Sequence, residues 1–224
     1  MSQQSKNNPE LPDRARAILD AMPPVPNARP FTAVIRAYAE QGRGQDAESL
    51  LEDMISTPTF PQPDVYSFAA ALLAWSRVKK GEDFTSAAKR SEDLIARMNK
   101  LYYSGKIRDP PNSICFSNVL KAWSRVHNVQ GAKRADAILE AMESHGIRPN
   151  LFCYNIVINA WSNHTLQDIR ALERVEALME CARRLGPDEY TYRAFFKAVC
   201  NSSLDNRDEV AIGIVREMQE RGIR

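Results

Sequence analysis

The feature that most constrains this chain is a dipeptide that comes back at a nearly fixed interval. Proline followed by Asp or Asn occurs at Pro26-Asn27, Pro63-Asp64, Pro111-Asn112, Pro149-Asn150 and Pro187-Asp188, at intervals of 37, 48, 38 and 38 residues. An aromatic follows four residues after each Asx, as Phe31, Phe68, Phe116, Tyr154 and Tyr192. Six residues further stands an alanine, at Ala37, Ala74, Ala122, Ala160 and Ala198, and the next position reads Tyr38, Trp75, Trp123, Trp161 and Val199. Independent positions returning in one register make the chain an array of similar small units, each unable to bury its own apolar face alone.

Spacing inside each unit predicts two helices. Phe31, Val34, Ile35 and Tyr38 fall at i, i+3, i+4 and i+7, and so share one face. The template returns as Phe68, Ala71, Leu72, Trp75; Phe116, Val119, Leu120, Trp123; Tyr154, Val157, Ile158, Trp161; and Tyr192, Phe195, Phe196, Val199. A second stripe follows in Ala47, Leu51, Met54; Ser91, Ile95, Met98; Ala135, Leu139, Met142; and Ala211, Val215, Met218, with a looser form in Ala171, Val175, Leu178, Met179. Ala15, Leu19 and Met22 form an orphan second helix ahead of the first pair. Gly105, Gly146, Gly186 and Gly222 stand where second helices should end in a left-handed cap. The expected fold is all-α: an α-solenoid of about five stacked hairpins plus an N-terminal half repeat. Residues 1–11 are expected to be disordered. The array should fill residues 12–224 and be truncated at its carboxyl end, since Gly222-Ile223-Arg224 parallels Gly146-Ile147-Arg148 just before Pro149-Asn150.

Composition excludes more than it assigns. Charged residues, 26% of the chain, interrupt every apolar stretch before it could cross a bilayer, so no membrane partner is expected. Cys115, Cys153, Cys181 and Cys200 lie far apart with no Cys-x-x-Cys pair, so neither a disulfide framework, a metal site nor a cofactor is expected. His127, His145 and His164 are isolated and no phosphate-loop pattern occurs, so the chain is not expected to be an enzyme. A net charge of +2 leaves the position of the cations to decide whether nucleic acid is a partner.

With these motifs in register from about residue 12 to 224, the chain resembles the pentatricopeptide repeat family. Tyr154-Asn155, an aromatic-polar pair early in a first helix, is its best match to the family pattern. The resemblance implies sequence-selective binding of single-stranded RNA in a shared groove, in mitochondrial or plastid RNA metabolism, with other RNA-processing proteins as possible company. It also implies that the residue after each early aromatic, with the Asx closing that repeat, reads one base. Carried over by position, the pairs are Thr32 with Asp64, Ala69 with Asn112, Ser117 with Asn150, and Asn155 with Asp188; Arg193 has no closing partner in this sequence. They imply G, poor discrimination, A and U in that order. The segment from Asp64 to Asn112 exceeds the family length, which disturbs one-base spacing there.

The residues support such a role apart from the family. Thr32 and Arg36 lie off the stripe of their helix, as do the later readers, so Asn155 should matter little to stability. Three residues before each reader stand Arg29, Tyr66, Ile114, Phe152 and Tyr190, the last four of them flat or apolar side chains suited to flank a base. Four and eight residues after the readers come Arg36, Lys121, Lys197, Arg77 and Arg125 against one acid, Glu40, a candidate phosphate track. Two alternatives are a protein-binding scaffold of the tetratricopeptide kind, and the repeat portion of an RNA-processing nuclease whose catalytic domain lies outside this sequence.

Overall fold

The structure is a computed structural model describing residues 9–22, 27–166 and 169–223, with the side chain of Ile169 also left aside. Among the described residues there are eleven helices and no strand. Five first helices, α2 (Arg29–Glu40), α4 (Val65–Ser76), α6 (Ser113–Ser124), α8 (Leu151–Ser162) and α10 (Glu189–Cys200), are each 12 residues long. Second helices run longer and less evenly: α3 (Gly44–Ser56), α5 (Phe84–Tyr103), α7 (Val129–Ser144), α9 (Ile169–Arg183) and α11 (Arg207–Glu220). The orphan second helix α1 (Leu11–Ala21) begins inside the segment expected to be disordered, of which residues 1–8 lie outside the described residues, as does Pro26 of the first Pro-Asx.

The recurring Asx explains why the first helices start together. Asp64, Asn150 and Asp188 are N-caps whose side-chain oxygens accept from the backbone N–H of Ser67, Cys153 and Thr191. Asn112 accepts from Ile114 and Cys115 N–H at 3.0 and 3.2 Å. Each cap satisfies donors that a helix start leaves open, and the preceding proline keeps the chain extended into it.

Cα packing divides the chain into two compact units, residues 1–122 and 123–224. In the first, α2 packs on α1, α3 and α4, while α4 packs on α3 and α5. In the second, α8 packs on α7, α9 and α10, while α10 packs on α9 and α11. A first helix thus touches the second helix before it, its own second helix, and the next first helix: the hairpin stacking of an α-solenoid. The packing fills with the predicted stripes, from Phe31, Val34 and Ile35 through Leu51 and Met54 in the first unit to Val157, Ile158, Met179 and Tyr192 in the second, all buried.

Three stripe positions depart from expectation. Met22, the C-cap of α1, and Val215 in α11 are 41% exposed because these are the first and last helices described, and no described helix covers those faces. Phe196 is 38% exposed although Tyr192, Phe195 and Val199 around it are buried. The cap glycines Gly105, Gly146, Gly186 and Gly222 all have φ near +70°. A fifth, Gly42, was not anticipated: with φ +71, a Cβ there would stand 2.3 Å from the Arg77 carbonyl oxygen, so α2 can turn beneath α4 only on glycine.

A candidate nucleic-acid interface on the first helices

The four candidate base-flanking residues occupy one position, the second residue of a first helix. All are exposed, Tyr66 at 67%, Ile114 at 54%, Phe152 at 53% and Tyr190 at 57%, so they do not serve as packing between hairpins. These are large apolar side chains left in water at one repeated register in both units. Arg29, the corresponding residue of α2, is also exposed.

In the first unit Thr32 and Asp64 are joined through a residue the sequence reading passed over. Ser67 donates its hydroxyl to Asp64 Oδ1 at 2.9 Å while its Oγ lies 2.8 Å from Thr32 Oγ1. The Thr32 hydroxyl also lies 3.0 Å from the Ala28 carbonyl, its natural acceptor. With the Ser67 proton on Asp64 and the Thr32 proton turned to Ser67 or Ala28, the open lone pairs on Thr32 Oγ1 and Asp64 Oδ2 present two acceptors. Ala69 offers no polar side-chain atom, and its carbonyl accepts from Asn118 Nδ2 at 3.0 Å. Asn112 spends Oδ1 on the cap, leaving its amide as donor. Ser117 is buried and donates to the Ser113 carbonyl at 2.5 Å.

In the second unit Asn155 and Asp188 meet directly. Asn155 Nδ2 donates to Asp188 Oδ1 at 3.2 Å, an orientation fixed because a carboxylate can only accept. Asp188 Oδ1 also takes the N–H and hydroxyl of Thr191 at 2.9 and 2.8 Å, while Thr191 Oγ1 accepts the Asp188 N–H, closing a capping box. Burial pushes the Asp188 carboxyl up, but the bonds from Thr191 and Asn155 outweigh it and hold it below the usual carboxylate range. Asn155 is only 4% exposed, and its Oδ1 is buried without a partner. The expectation that Asn155 stands apart from stability is therefore corrected: the helix wheel places it off the stripe, yet its amide carries part of the α8–α10 contact. Asn150 is exposed and spends Oδ1 on Cys153 N–H at 3.0 Å. Arg193 is exposed and pairs with Glu189 at 3.5 Å. Ser67 and Thr191 were legible as Asp-x-x-Ser and Asp-x-x-Thr, the spacing of a helix start.

Charge is sorted by helix layer. Between second helices the ion pairs run Arg16–Asp53 and Arg97–Glu52 in the first unit, and Arg174–Asp136 and Arg183–Glu217 in the second. On the first helices Arg36, Arg77 and Lys197 are exposed and make no ion pair among the described residues. Lys121 and Arg125 are half-buried and engaged in further interactions. Asn201, at the end of the same stripe, donates to the Ser162 carbonyl at 3.1 Å and so ties α10 to α8.

Repeated 12-residue first helices, Asx residues that cap them, and exposed flat side chains two residues after each cap define a helical-hairpin repeat protein. A family profile described as a pentatricopeptide repeat domain matches residues 110–164, and one described as a PPR repeat matches residues 29–56. A pentatricopeptide repeat-containing protein of Arabidopsis thaliana is 24% identical over 190 residues, spanning 85% of this chain but 30% of its own length. Among solved structures, the pentatricopeptide repeat protein PPR10 in complex with an 18-nt psaJ RNA element superposes with a TM-score of 0.59 at 23% identity, over 90% of this chain and 26% of that one. PPR10 from maize gives 0.62 at 17% identity, over 91% of this chain and 26% of that one. The PPR domain of Arabidopsis thaliana protein-only RNase P 1 in complex with tRNA gives 0.63 at 16% identity, over 85% of this chain and 88% of that one. Residues 29–56 and 110–164 thus carry pentatricopeptide repeat signatures, and the helical-hairpin fold is that of these solved structures.

Proposed function

We propose that the chain binds single-stranded RNA on the face of its first helices, seating bases beside Tyr66, Ile114, Phe152 and Tyr190 and reading them through the residues that cap those helices. The observation that carries this reading is the shared exposure of those four side chains at one register, each two residues from a cap. Two acceptors at Thr32 and Asp64 match the paired N–H donors on the Watson–Crick edge of guanine. Asn155 offers an amide donor beside the Asp188 Oδ2 acceptor, which suits the alternating carbonyl and N–H groups of uracil. Ala69 leaves its position weakly selective, and Ser117 and Asn150 are assigned to A by family resemblance. Exposed Arg36, Arg77 and Lys197, with Lys121 and Arg125, supply phosphate contacts. We take the RNA to be organellar, mitochondrial or plastid, on that resemblance alone, and the chain's role to be binding rather than catalysis.

Gel shifts with short single-stranded and duplex RNA pools test the class. Single strands should be preferred, with affinity falling as salt rises because phosphate contacts release counterions. Equal binding of both pools, or none at low salt, contradicts the reading.

A further inference from the structure

Among the described residues, three buried side-chain polar atoms lack a hydrogen-bond partner: Ser91 Oγ, Asn155 Oδ1 and Trp161 Nε1. The indole is the most demanding of them, because it has one donor and no way to turn it elsewhere. A buried donor left open in this way asks for an acceptor that the described residues do not supply. Trp161 is 5% exposed and lines a cavity of about 470 Å³ with Lys133 of α7 and Arg170, Glu173, Arg174 and Ala177 of α9. Three cations stand there against one acid. Arg174 is held by Asp136 at 2.7 and 2.8 Å, which makes it a wall, whereas Lys133 is exposed and makes no ion pair among the described residues.

The repeat itself shows what belongs at that donor. Trp75 occupies the same register in α4 and lines the corresponding cavity, of about 560 Å³, in the first unit. There the indole N–H donates to Glu48 Oε2 at 2.8 Å. The alignment of Ala47, Leu51 and Met54 with Ala135, Leu139 and Met142 sets Glu48 against Asp136. Asp136 is one methylene shorter and already engaged by Arg174, so it does not reach the donor of Trp161. The balance of charge in the lining changes with it. Four acids, Glu48, Glu52, Glu82 and Asp83, and one cation, Arg90, line the first cavity; three cations, Lys133, Arg170 and Arg174, and one acid, Glu173, line the second. One repeat carries its own carboxylate on the indole; in the other, among the described residues, no carboxylate takes the indole N–H, and Lys133 stands exposed in the lining.

We propose that the Trp161 cavity is an oxyanion site, taking the phosphate or carboxylate of a small molecule whose oxygen accepts the indole N–H while the exposed Lys133 balances its charge. The site is separate from the base-reading positions: Trp161 lies in the last turn of α8, six residues or about 9 Å along the axis from Asn155. Its lining comes from the second helices, not from the exposed flat side chains of the first.

Indole N–H resonances of the full chain test this, since it holds three tryptophans and Trp161→Phe assigns the one in question. Titration with inorganic phosphate, and separately with acetate, should move the Trp161 resonance saturably, while that of Trp75, occupied by Glu48, stays in place. Response to phosphate alone or to acetate alone identifies which group the site takes. Lys133→Gln should weaken the response about tenfold, as expected for loss of one charge-assisted contact. Should Trp161→Phe fail to fold, the Lys133→Gln titration decides alone, because that side chain is exposed. The proposal is overturned if chloride at matched ionic strength moves the resonance equally, if Lys133→Gln leaves the titration unchanged, or if single-stranded RNA displaces the anion.

Discussion

Replacing Phe152 and Tyr190 by alanine separates binding from folding more cleanly than any other change to this chain. Each is the second residue of its helix, more than half exposed, and follows an Asx cap whose hydrogen bonds use backbone and neighbouring polar atoms rather than the ring. Removing either ring opens no cavity, so stability should shift by no more than about 0.5 kcal/mol. If a base stacks on the ring, the same change removes about 1 to 3 kcal/mol of binding, a loss of roughly 5- to 150-fold in affinity. Phe152→Leu should recover only part of that loss, because leucine keeps apolar area without a flat face. Fluorescence anisotropy of a labelled single-stranded RNA, beside urea melts of the same preparations, reads both quantities. Unchanged RNA affinity in both alanine variants, or a melt shifted by more than about 1 kcal/mol, refutes the assignment of these rings to the RNA.

Three further outcomes follow from the packing and the caps. Trp123→Ala, at a 4% exposed stripe position, should destabilise its unit by about 3 to 5 kcal/mol in denaturant melts. Gly42→Ala should also destabilise, because the added methyl meets a backbone carbonyl that cannot move aside, and thermal melts should place it below the wild type. The Asp188 carboxyl titrates below its unfolded value, so its cap stabilises fully above about pH 4 and is lost as pH falls through the lower folded value. Urea melts across the acid range should therefore show the advantage of wild type over Asp188→Ala shrinking below that pH; an advantage independent of pH would mean that the carboxylate charge does not act there.

Most of the fold could be read from the chain because its signals are local and repeated. The stripes led by Phe31, Phe68, Phe116, Tyr154 and Tyr192 needed only helical spacing, and the cap glycines only their place after Met54-like positions. What escaped depends on neighbours. A helix wheel places Asn155 off the stripe but cannot show that α10 covers it and that Asp188 takes its amide. The same wheel counts Val215 and Phe196 as core, although burial at either position requires a covering helix. The recurring Asx was read as a ligand contact; with the backbone in place it is seen to cap a helix with one side-chain oxygen. The contrast between Trp75 and Trp161 was hidden as well, since identical residues at identical register differ only in whether a glutamate from the preceding helix arrives.

Competition binding with single-base variants of one short RNA, run on wild type and on Asn155→Thr, tests the central claim most directly. In the wild type, Asn155 and Asp188 should favour U at their base, with a wrong base costing about 1 to 3 kcal/mol through an unpaired polar group. Asn155→Thr recreates the side-chain pair of Thr32 with Asp64, and Thr191 stands where Ser67 links that pair. Preference at that one base should then move from U toward G, with preferences at the other bases unchanged and the helical fold retained by circular dichroism. An identical ranking of the four bases before and after the substitution would contradict the claim that the caps of the first helices read RNA.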